Sequence, residues 1–325
     1  MKRFYIIFSK TIILFLLFCR PATQIIAQSN DRNYIRTRVL MNDAGSAYAE
    51  VIDYYDGLGR PEQTVLTTAS PTRKDLVKLR EYDVTGRPSN TWLETPMAGT
   101  GSYTDPVSLK SASSAFYADA GAYSKTVYEE SPLNLILEQY GPGTAWHNSG
   151  KAVETDRFSN MASGNFACGL YTVTSSTTLQ RSGAYAAGEL FITQTTDENE
   201  GISYTFIDKM ERTILSRVMK GSTPHDTYFV YDDYGNLCYV LPPAAADALS
   251  ATAIWNDDNA TLKNYAYIYK HDIYNRCIRK KLPGCEPIIM KYDKADRLIF
   301  SQDGNQLAKN QWTSSYSTIC SDGKP

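Results

Sequence analysis

Short runs of apolar, aromatic and β-branched residues recur along the chain, and residues that favour turns separate them. Such runs flank several turns, at positions 204–207, 228–231, 237–241 and 297–300. Four more lie between positions 101 and 200, at 123–128, 134–139, 171–176 and 189–195. Bounded runs of this length and composition are typical of β-strands. The 24 Tyr and 11 Phe among many Thr, Ser and Val residues favour strands as well.

Only two segments have a helical pattern. One covers positions 106–117, and the other covers positions 242–252, where an Ala-rich stretch follows two prolines. Proline at the first helical position favours a helix start. We therefore predict an all-β chain with one or two short helices.

One six-residue pattern occurs six times. It is YDGLGR at 55–60, YDVTGR at 82–87, IDKMER at 207–212, YDDYGN at 231–236, HDIYNR at 271–276 and YDKADR at 292–297. A strand-like run ends at Asp, two variable positions follow, and a turn residue precedes Arg or Asn. The predicted turn residues are Asp56, Gly59, Arg60, Asp83, Gly86, Arg87, Asp208, Arg212, Asp232, Gly235, Asn236, Asp272, Asn275, Arg276, Asp293 and Arg297.

Each position of the pattern has a local physical reason. An Asp that begins a turn can accept hydrogen bonds from backbone N–H groups one or two residues ahead. Three residues later the chain often passes through positive φ, which Gly59, Gly86, Gly235 and Asn275 tolerate. Glu211 and Asp296 suit this position less well. Each unit is therefore predicted to be a β-hairpin.

The spacing of the six Asp positions fits one hairpin per repeat. Four spacings lie between 21 and 40 residues, and the fifth is 125 residues. The long gap carries predicted strands of its own, so we interpret it as further sheet with degenerate repeats. The expected architecture is a curved antiparallel sheet of successive hairpins.

These recurring Tyr-Asp-x-x-Gly-Arg turns resemble the YD repeats of Rhs proteins, of teneurins and of insecticidal toxin-complex subunits. The segments DGLGRP at 56–61, GPG at 141–143 with Trp146, VLPP at 240–243 and LPG at 282–284 are similar to the N-terminal region of large bacterial Rhs-type proteins, a domain of unknown function. In that family, YD hairpins form a hollow shell around a C-terminal toxin that self-cleavage at a conserved core releases. The resemblance therefore implies a non-catalytic scaffold, a partial shell whose core and toxin are missing here. Its expected partners are the remainder of the shell or its cargo.

The N-terminus predicts export. Lys2, Arg3 and Lys10 are followed by an apolar run at 12–18 and by small residues up to Ala27, as in a secretory signal peptide. The run is too short for a permanent membrane span, so we expect a secreted or cell-surface protein. Cleavage after Ala27 leaves 29 basic and 35 acidic residues, dispersed along the chain. This balance argues against a nucleic-acid partner.

The cysteines and histidines predict neither a metal site nor a defined disulfide. Five cysteines remain after position 27, an odd number, so at least one thiol is free. No Cys-x-x-Cys pair occurs, and His147, His225 and His271 have no ligand spacing. A bridge between Cys277 and Cys285 is sterically conceivable. We expect no cofactor and no metal.

An enzyme would need a chemical site, and the candidates are weak. The paired carboxylates Asp232–Asp233 and Asp257–Asp258 could serve glycoside hydrolysis, which needs two acids. Asp232 already has a turn role, and Asp257–Asp258 lies in a polar loop. No Gly-x-Ser-x-Gly elbow, phosphate loop or His-Glu-x-x-His motif is present. We therefore expect no enzymatic activity.

A binding function is the alternative. Tyr265, Tyr267 and Tyr269 are predicted to alternate onto one face of a single strand, where they would contact a surface glycan or protein. Cross-strand packing of the same aromatics is the competing explanation. The alternative function is thus a cell-surface carbohydrate- or protein-binding adhesion module.

The last residues suggest an altered C-terminus. Residues 317–323 are compatible with codons that, in another reading frame, encode Tyr-Asp-Met-Phe-Gly-Arg, a seventh turn of the same kind. This leads to the hypothesis of a frameshift in a longer gene. The predicted divisions are a signal peptide at 1–27, strands with the first two turns at 28–100, a β-rich insertion at 101–200, YD hairpins at 201–312 and an aberrant tail at 313–325.

Overall fold

A computed structural model describes residues 32–175 and 178–315. The chain forms two compact units, the first ending at Ala152 and the second beginning at Val153. Both consist mainly of antiparallel strands joined by tight turns. The prediction of an all-β chain built from antiparallel hairpins is therefore confirmed. The predicted boundaries at positions 100 and 200 stay predictions.

The first unit contains one chain of antiparallel pairings. Its strands are β1 (Asn33–Leu40), β2 (Tyr48–Tyr55), β3 (Pro61–Leu66), β4 (Asp75–Tyr82), β5 (Pro88–Trp92), β6 (Thr95–Met97), β7 (Tyr123–Tyr128) and β8 (Ile136–Tyr140). Strands β1 to β4 pair in sequence order, and β4 then pairs with both β5 and β6. The series continues from β5 through β7 to β8.

The first core lies on one face of these strands. Along β2, β3 and β4 every second residue is buried, as the two-residue period of a half-buried strand requires. The buried set is Ile52, Tyr54, Val65, Val77, Leu79, Trp92 and Leu109. Leu109 comes from helix α1 (Pro106–Tyr117), which Asp105 caps by accepting a hydrogen bond from the backbone N–H of Ser108. A second, short helix, α2 (Thr144–Asn148), follows β8.

The second unit contains one long series of strands and one three-stranded sheet. Its strands are β9 (Ala152–Ser159), β10 (Gly169–Ser175), β11 (Thr178–Ala184), β12 (Phe191–Thr196), β13 (Ile202–Ile207), β14 (Thr213–Lys220), β15 (Thr223–Tyr231), β16 (Leu237–Leu241), β17 (Ala253–Asn256), β18 (Tyr267–His271), β19 (Cys277–Lys281), β20 (Ile288–Tyr292), β21 (Leu298–Gln302) and β22 (Thr313–Ser314). The long series runs β9–β12–β13–β14–β15–β16–β18–β19–β20–β21–β22, all antiparallel. The small sheet pairs β10, β11 and β17.

The second core joins buried side chains of both sheets. Phe206, Leu215 and Tyr239 from the long series lie in the same cluster as Leu179 from the small sheet. Helix α3 (Pro243–Ala248) adds buried Ala245 to this cluster. Helix α4 (Ala260–Tyr265) adds a leucine, helix α5 (Gly304–Ala308) lies between β21 and β22, and a 3-10 turn covers Gly164–Phe166.

Several elements match the predicted bounds and others do not. Helix α1 and strand β7 have the predicted limits, whereas the helix predicted for 242–252 covers only Pro243–Ala248. Helices α2, α4 and α5 were not predicted, so the expectation of one or two helices was too low for the described residues. Each of the three has only five or six residues, too few to show a helical period.

The bridge considered between Cys277 and Cys285 is not formed, because both thiols are free. Cys277 begins β19, and Cys285 lies beyond its other end. The first and last Cα atoms of the five-residue strand β19 are roughly 13 Å apart, more than a disulfide can bridge.

The signal peptide predicted at 1–27, Cys320 and residues 316–325 of the tail predicted at 313–325 lie outside the described residues. Among the residues that are described, no helix is long and apolar enough to span a membrane.

Candidate functional site

The six predicted Asp residues all lie at hairpin turns and share one hydrogen-bond pattern. In each turn, Oδ1 of the Asp accepts hydrogen bonds from the backbone N–H groups two and four residues ahead, at 2.8–3.1 Å. The Asp carbonyl accepts from the residue three ahead, and the Asp N–H donates to the carbonyl four ahead. These bonds define a type I turn followed by a left-handed residue, a common three-residue hairpin connection. The carboxylate reaches further than the one or two residues predicted.

The third residue after each Asp has the predicted positive φ. Gly59, Gly86 and Gly235 lie at +77° to +87°, and Asn275 lies at +62°. Glu211 and Asp296, which suit this conformation less well, adopt +62° and +60°. The hydrogen bonds around the turn therefore stabilise positive φ even at residues whose Cβ atom makes that conformation unfavourable.

The residue four ahead closes the turn with its side chain. In five of the turns the arginine Nε donates to Oδ2 of the Asp at 2.7–2.8 Å; the arginines are Arg60, Arg87, Arg212, Arg276 and Arg297. In the sixth, Nδ2 of Asn236 donates to Oδ2 of Asp232 at 3.0 Å. In all six turns, both carboxylate oxygens of the Asp therefore accept hydrogen bonds from residues of the same turn.

These contacts lower the pKa of the carboxylates of Asp56, Asp83, Asp208, Asp272 and Asp293. At Asp56 the hydrogen bond from the Arg60 backbone is the main cause of the lowered pKa. Partial burial would raise the pKa of Asp83, but hydrogen bonds from the backbone and side chain of Arg87 and from Thr85 lower it well below its ordinary value. The pKa values of Asp272 and Asp293 are lowered too, chiefly by hydrogen bonds from the arginine four residues ahead.

A second contact links each of four hairpins to the next hairpin. The guanidinium of Arg60 lies 4.2 Å from the ring centroid of Tyr82, and the Tyr82 hydroxyl donates to the carbonyl of Pro61 at 2.7 Å. We call this pair of contacts an Arg–Tyr rung. The same rung joins Arg87 to Tyr128, Arg212 to Tyr231 and Arg276 to Tyr292, with ring distances of 4.7–5.2 Å. In each of these three, the hydroxyl donates at 3.0–3.2 Å to the carbonyl of the residue after the arginine.

The rung explains two positions of the repeat at once. In three of the rungs, the tyrosine before Asp contacts the preceding hairpin, and the arginine contacts the following one. A cation–π contact contributes about 0.5–1 kcal/mol at exposed sites, and a hydrogen bond contributes about 0.5–1.5 kcal/mol. Three of the four rungs join two of the six repeats, and the fourth joins Arg87 to Tyr128, which lies outside them.

Asp197 begins a further turn of this kind, which the six-residue pattern did not predict. Oδ1 of Asp197 accepts hydrogen bonds from the N–H groups of Asn199 and Gly201, at 2.8 and 2.7 Å. Glu200 adopts φ +68°. Gly201 replaces the arginine, so this turn has no guanidinium to offer its neighbour. An Asp with a strand-like run on each side was the only signal in the sequence.

One junction between complete hairpins departs from the rung. Asn236 stands where the other turns have arginine, and His271 stands where the next repeat would have tyrosine. Nδ2 of Asn236 instead donates to Oδ1 of Asn275 at 2.9 Å. Asp232, buried Cys238 and His271 each offer one metal-ligating atom here, and these atoms lie within 4.8 Å of one another. Sequence spacing gave no sign of this cluster, because β16 and β18 bring together residues more than 30 positions apart.

The three tyrosines proposed for ligand contact do not share one strand. Tyr265 is the last residue of α4, whereas Tyr267 and Tyr269 lie on β18. The prediction of a single strand is therefore wrong for Tyr265, because the Asn259 side chain caps a helix directly before the strand. Tyr267 and Tyr269 are half-buried, and Nζ of Lys280 lies 6.0 Å from the Tyr269 ring centroid.

The acids considered for glycoside hydrolysis have structural contacts. Asp257 accepts a hydrogen bond from the Tyr239 hydroxyl at 2.7 Å and pairs with Lys270 at 2.9 Å. The side chain of Asp258 is exposed and pairs with Lys263 at 3.0 Å. Asp232 is engaged in its turn. Two acids facing each other across a sugar-binding cleft are what hydrolysis would need, and these acids serve other contacts.

The buried thiols are poor nucleophiles. Burial raises the pKa of Cys168 to about 12 and that of Cys238 to about 11. A reactive cysteine needs a lowered pKa and access to substrate. Neither thiol meets this requirement in the described structure.

Comparison with known proteins gives one family match and one shared fold. Residues 28–159 match a domain of unknown function (DUF6443). A search of curated proteins found no match. A crystal structure of TcdB2-TccC3 without its hypervariable C-terminal region has a TM-score of 0.51 and 12% identity, and the match covers 89% of this chain. The corresponding values for a TcdB2-TccC3-TEV structure are 0.50, 12% and 86%.

The chain spans 13% of the length of each of these two solved chains. At 12% identity the likeness shows a shared fold. The chain therefore carries, over residues 28–159, a match to the DUF6443 domain, and its fold is similar to that of a segment of TcdB2-TccC3.

Proposed function

We propose that the chain is a non-catalytic structural scaffold, one part of an Rhs-type shell that belongs to an exported toxin or surface protein. The repeated turn with its Arg–Tyr rung is the observation that carries this proposal. The hydrogen bonds of the Asp close each of the six turns, and the Arg–Tyr rung joins four hairpins to the next one. Such a device extends a sheet by repetition and requires no ligand.

The similarity to TcdB2-TccC3 supports the same proposal. This chain corresponds to a small segment of that much longer protein. A segment of a larger assembly is expected to present surfaces that other segments cover, so its partners would be the remainder of a shell or the cargo. Export to the cell surface or the medium, expected from the N-terminal residues, is part of the proposal.

Strand β1 presents such a surface. All eight of its residues are exposed, although Ile35, Val39 and Leu40 are apolar and 57–62% accessible. An exposed apolar strand at a sheet edge is a template for pairing with another segment. In the proposed assembly this strand is covered by a neighbouring part of the shell.

Co-expression with the remaining segment of an Rhs-type shell, supplied as a separate polypeptide, tests the scaffold. We expect a stable complex that co-purifies in size-exclusion chromatography and shows a closed shell by electron microscopy. Ile35→Lys combined with Val39→Lys should weaken the complex. Asp43→Lys, in the exposed loop beside β1, makes the same change of two charges and should leave it intact. Absence of any complex with the parent chain would contradict the proposal.

An adhesion module remains the second candidate, because Tyr269 lines a cavity of about 400 Å³ together with residues of two hairpin turns. Saturable binding to a glycan array that Tyr269→Ala or Tyr267→Ala abolishes would favour adhesion. The scaffold proposal predicts no saturable binding by the parent chain.

A further inference from the structure

The junction between the hairpins at 231–236 and 271–276 has lost its Arg–Tyr rung and holds a different set of side chains. At four junctions a guanidinium and a phenol link adjacent hairpins. Here the guanidinium is replaced by the amide of Asn236, and the phenol is replaced by the imidazole of His271. The replacement removes one positive charge from beside the carboxylate of Asp232. That carboxylate therefore faces the junction without the cation that its counterparts have.

The side chains at this junction are ligands of late transition metals. A carboxylate oxygen of Asp232, Sγ of Cys238 and a ring nitrogen of His271 lie within 4.8 Å of one another. In a tetrahedral zinc site, bonds of about 2.0–2.3 Å place neighbouring ligand atoms roughly 3.3–3.8 Å apart. Side-chain movements of about 1 Å would bring the three ligand atoms to the distances of a tetrahedral site. Asp232 and Cys238 belong to one hairpin and His271 to the next.

Each of the three side chains has coordinating capacity left. An ionised carboxylate has about four acceptor positions, and three N–H groups of Tyr234 and Asn236 use three positions on Asp232. Cys238 is buried and free of any disulfide. Nδ1 of His271 is buried without a hydrogen-bond partner in the described structure. A buried polar atom of this kind needs a partner, and an ion held by that nitrogen would supply one.

The surroundings leave room for an ion and a further ligand. The three side chains line the cavity of about 400 Å³ described above. Lys270 lines the same cavity, but its ammonium pairs with Asp257 at 2.9 Å and donates to the Tyr239 hydroxyl at 3.2 Å. Its charge is therefore largely balanced by Asp257. Water from the cavity can complete four-fold coordination.

We propose that Asp232, Cys238 and His271 bind one Zn²⁺ ion, which joins two adjacent hairpins where the Arg–Tyr rung is missing. One nitrogen, one sulfur and one oxygen donor form a set that suits Zn²⁺ better than the oxygen-preferring Mg²⁺ or Ca²⁺. On binding, the Cys238 thiol releases its proton to solvent and coordinates as thiolate. The ion and the thiolate form a new bond, and no electron is transferred.

Metal titration of the full chain tests this proposal. Chain purified with a chelator and then dialysed is titrated with Zn²⁺ by calorimetry, and with Co²⁺ by absorption spectroscopy under reducing conditions. We expect one ion per chain, a thiolate-to-cobalt charge-transfer band in the near ultraviolet, and a higher melting temperature with Zn²⁺ than with chelator. Absence of Zn²⁺ binding, or binding without the cobalt band, would overturn the proposal.

Variants assign the ligands. Cys238→Ser should remove the cobalt band, and His271→Tyr should raise the dissociation constant at least about tenfold. His271→Tyr introduces the residue that most other repeats carry, so it should preserve the hairpin. It therefore tests the zinc site even if Cys238→Ser does not fold. Cys285→Ser changes an exposed thiol outside the cluster and should bind like the parent. Unchanged binding in a folded His271→Tyr chain would refute the assignment.

Discussion

Two glycines in the first turn allow the cost of a side chain at positive φ to be measured. Gly59 lies at φ +77°, and a Cβ atom added there meets no atom within 4 Å. Gly57, two residues earlier in the same turn, has equally open surroundings without a positive φ. Gly59→Val and Gly57→Val therefore differ in backbone strain and not in packing.

The expected cost follows from this difference. A β-branched residue held in the left-handed region costs about 1–3 kcal/mol, so Gly59→Val should lower the free energy of unfolding by that amount. Gly57→Val should change it by less than about 0.5 kcal/mol, as at an ordinary surface site. Gly235→Val should repeat the Gly59 result in the second unit, because Gly235 has φ +84° and the same open surroundings.

Urea unfolding combined with amide hydrogen exchange measures the effect. Exchange protection across β2 and β3 reports the stability of the affected hairpin directly, even if the two units unfold separately. We expect protection there to fall in Gly59→Val and to stay unchanged in Gly57→Val. Equal losses in both variants would refute the assignment of strain to the left-handed position.

Three further predictions concern side chains. Tyr231→Phe keeps the ring of a rung but removes the hydrogen bond to Thr213, and should cost about 0.5–1.5 kcal/mol in urea unfolding; no change would argue against the rung. Because the folded carboxylates of Asp56, Asp83, Asp208, Asp272 and Asp293 have lowered pKa values, the unfolded chain binds more protons below about pH 5, so stability should be full above that pH and fall below it. Asp83→Asn should flatten this acid slope, and an unaltered slope would contradict the pKa argument. Asp226→Asn removes the carboxylate that buried Arg217 contacts at 2.6 and 2.7 Å, and should lower the free energy of unfolding by about 3–5 kcal/mol. An unchanged melting temperature would contradict this prediction.

The local parts of the fold could be predicted from the sequence because their signals are local. The Asp-x-x-Gly-Arg turn carries its hydrogen-bond donors, its acceptor and its left-handed residue within five positions. Gly59 and Gly86 made the turn visible, and the same geometry holds Glu211 and Asp296 at positive φ. A turn with no arginine, at Asp197, was not distinguishable from an ordinary loop.

The contacts between hairpins could not be predicted, because they depend on register across strands. The cluster of Asp232, Cys238 and His271 forms only when β16 pairs with β18, and residues 242–266 lie between these two strands. Spacing rules for zinc ligands assume ligands close in sequence, so the sequence alone predicts no metal site at the histidines. Likewise, Tyr265 fits a strand pattern in sequence, yet a cap at Asn259 places it in a helix.

A double-mutant cycle across one rung measures whether the arginine and tyrosine of adjacent hairpins stabilise each other. Arg212→Met, Tyr231→Leu and the double variant are compared by urea unfolding, with Arg212→Met combined with Tyr292→Leu as a pair that shares no contact. We expect a coupling energy of about 0.5–1 kcal/mol for Arg212 with Tyr231, and additive effects for the control pair. Additive effects at both pairs would contradict a scaffold whose hairpins are fastened to one another by the residues of the repeat.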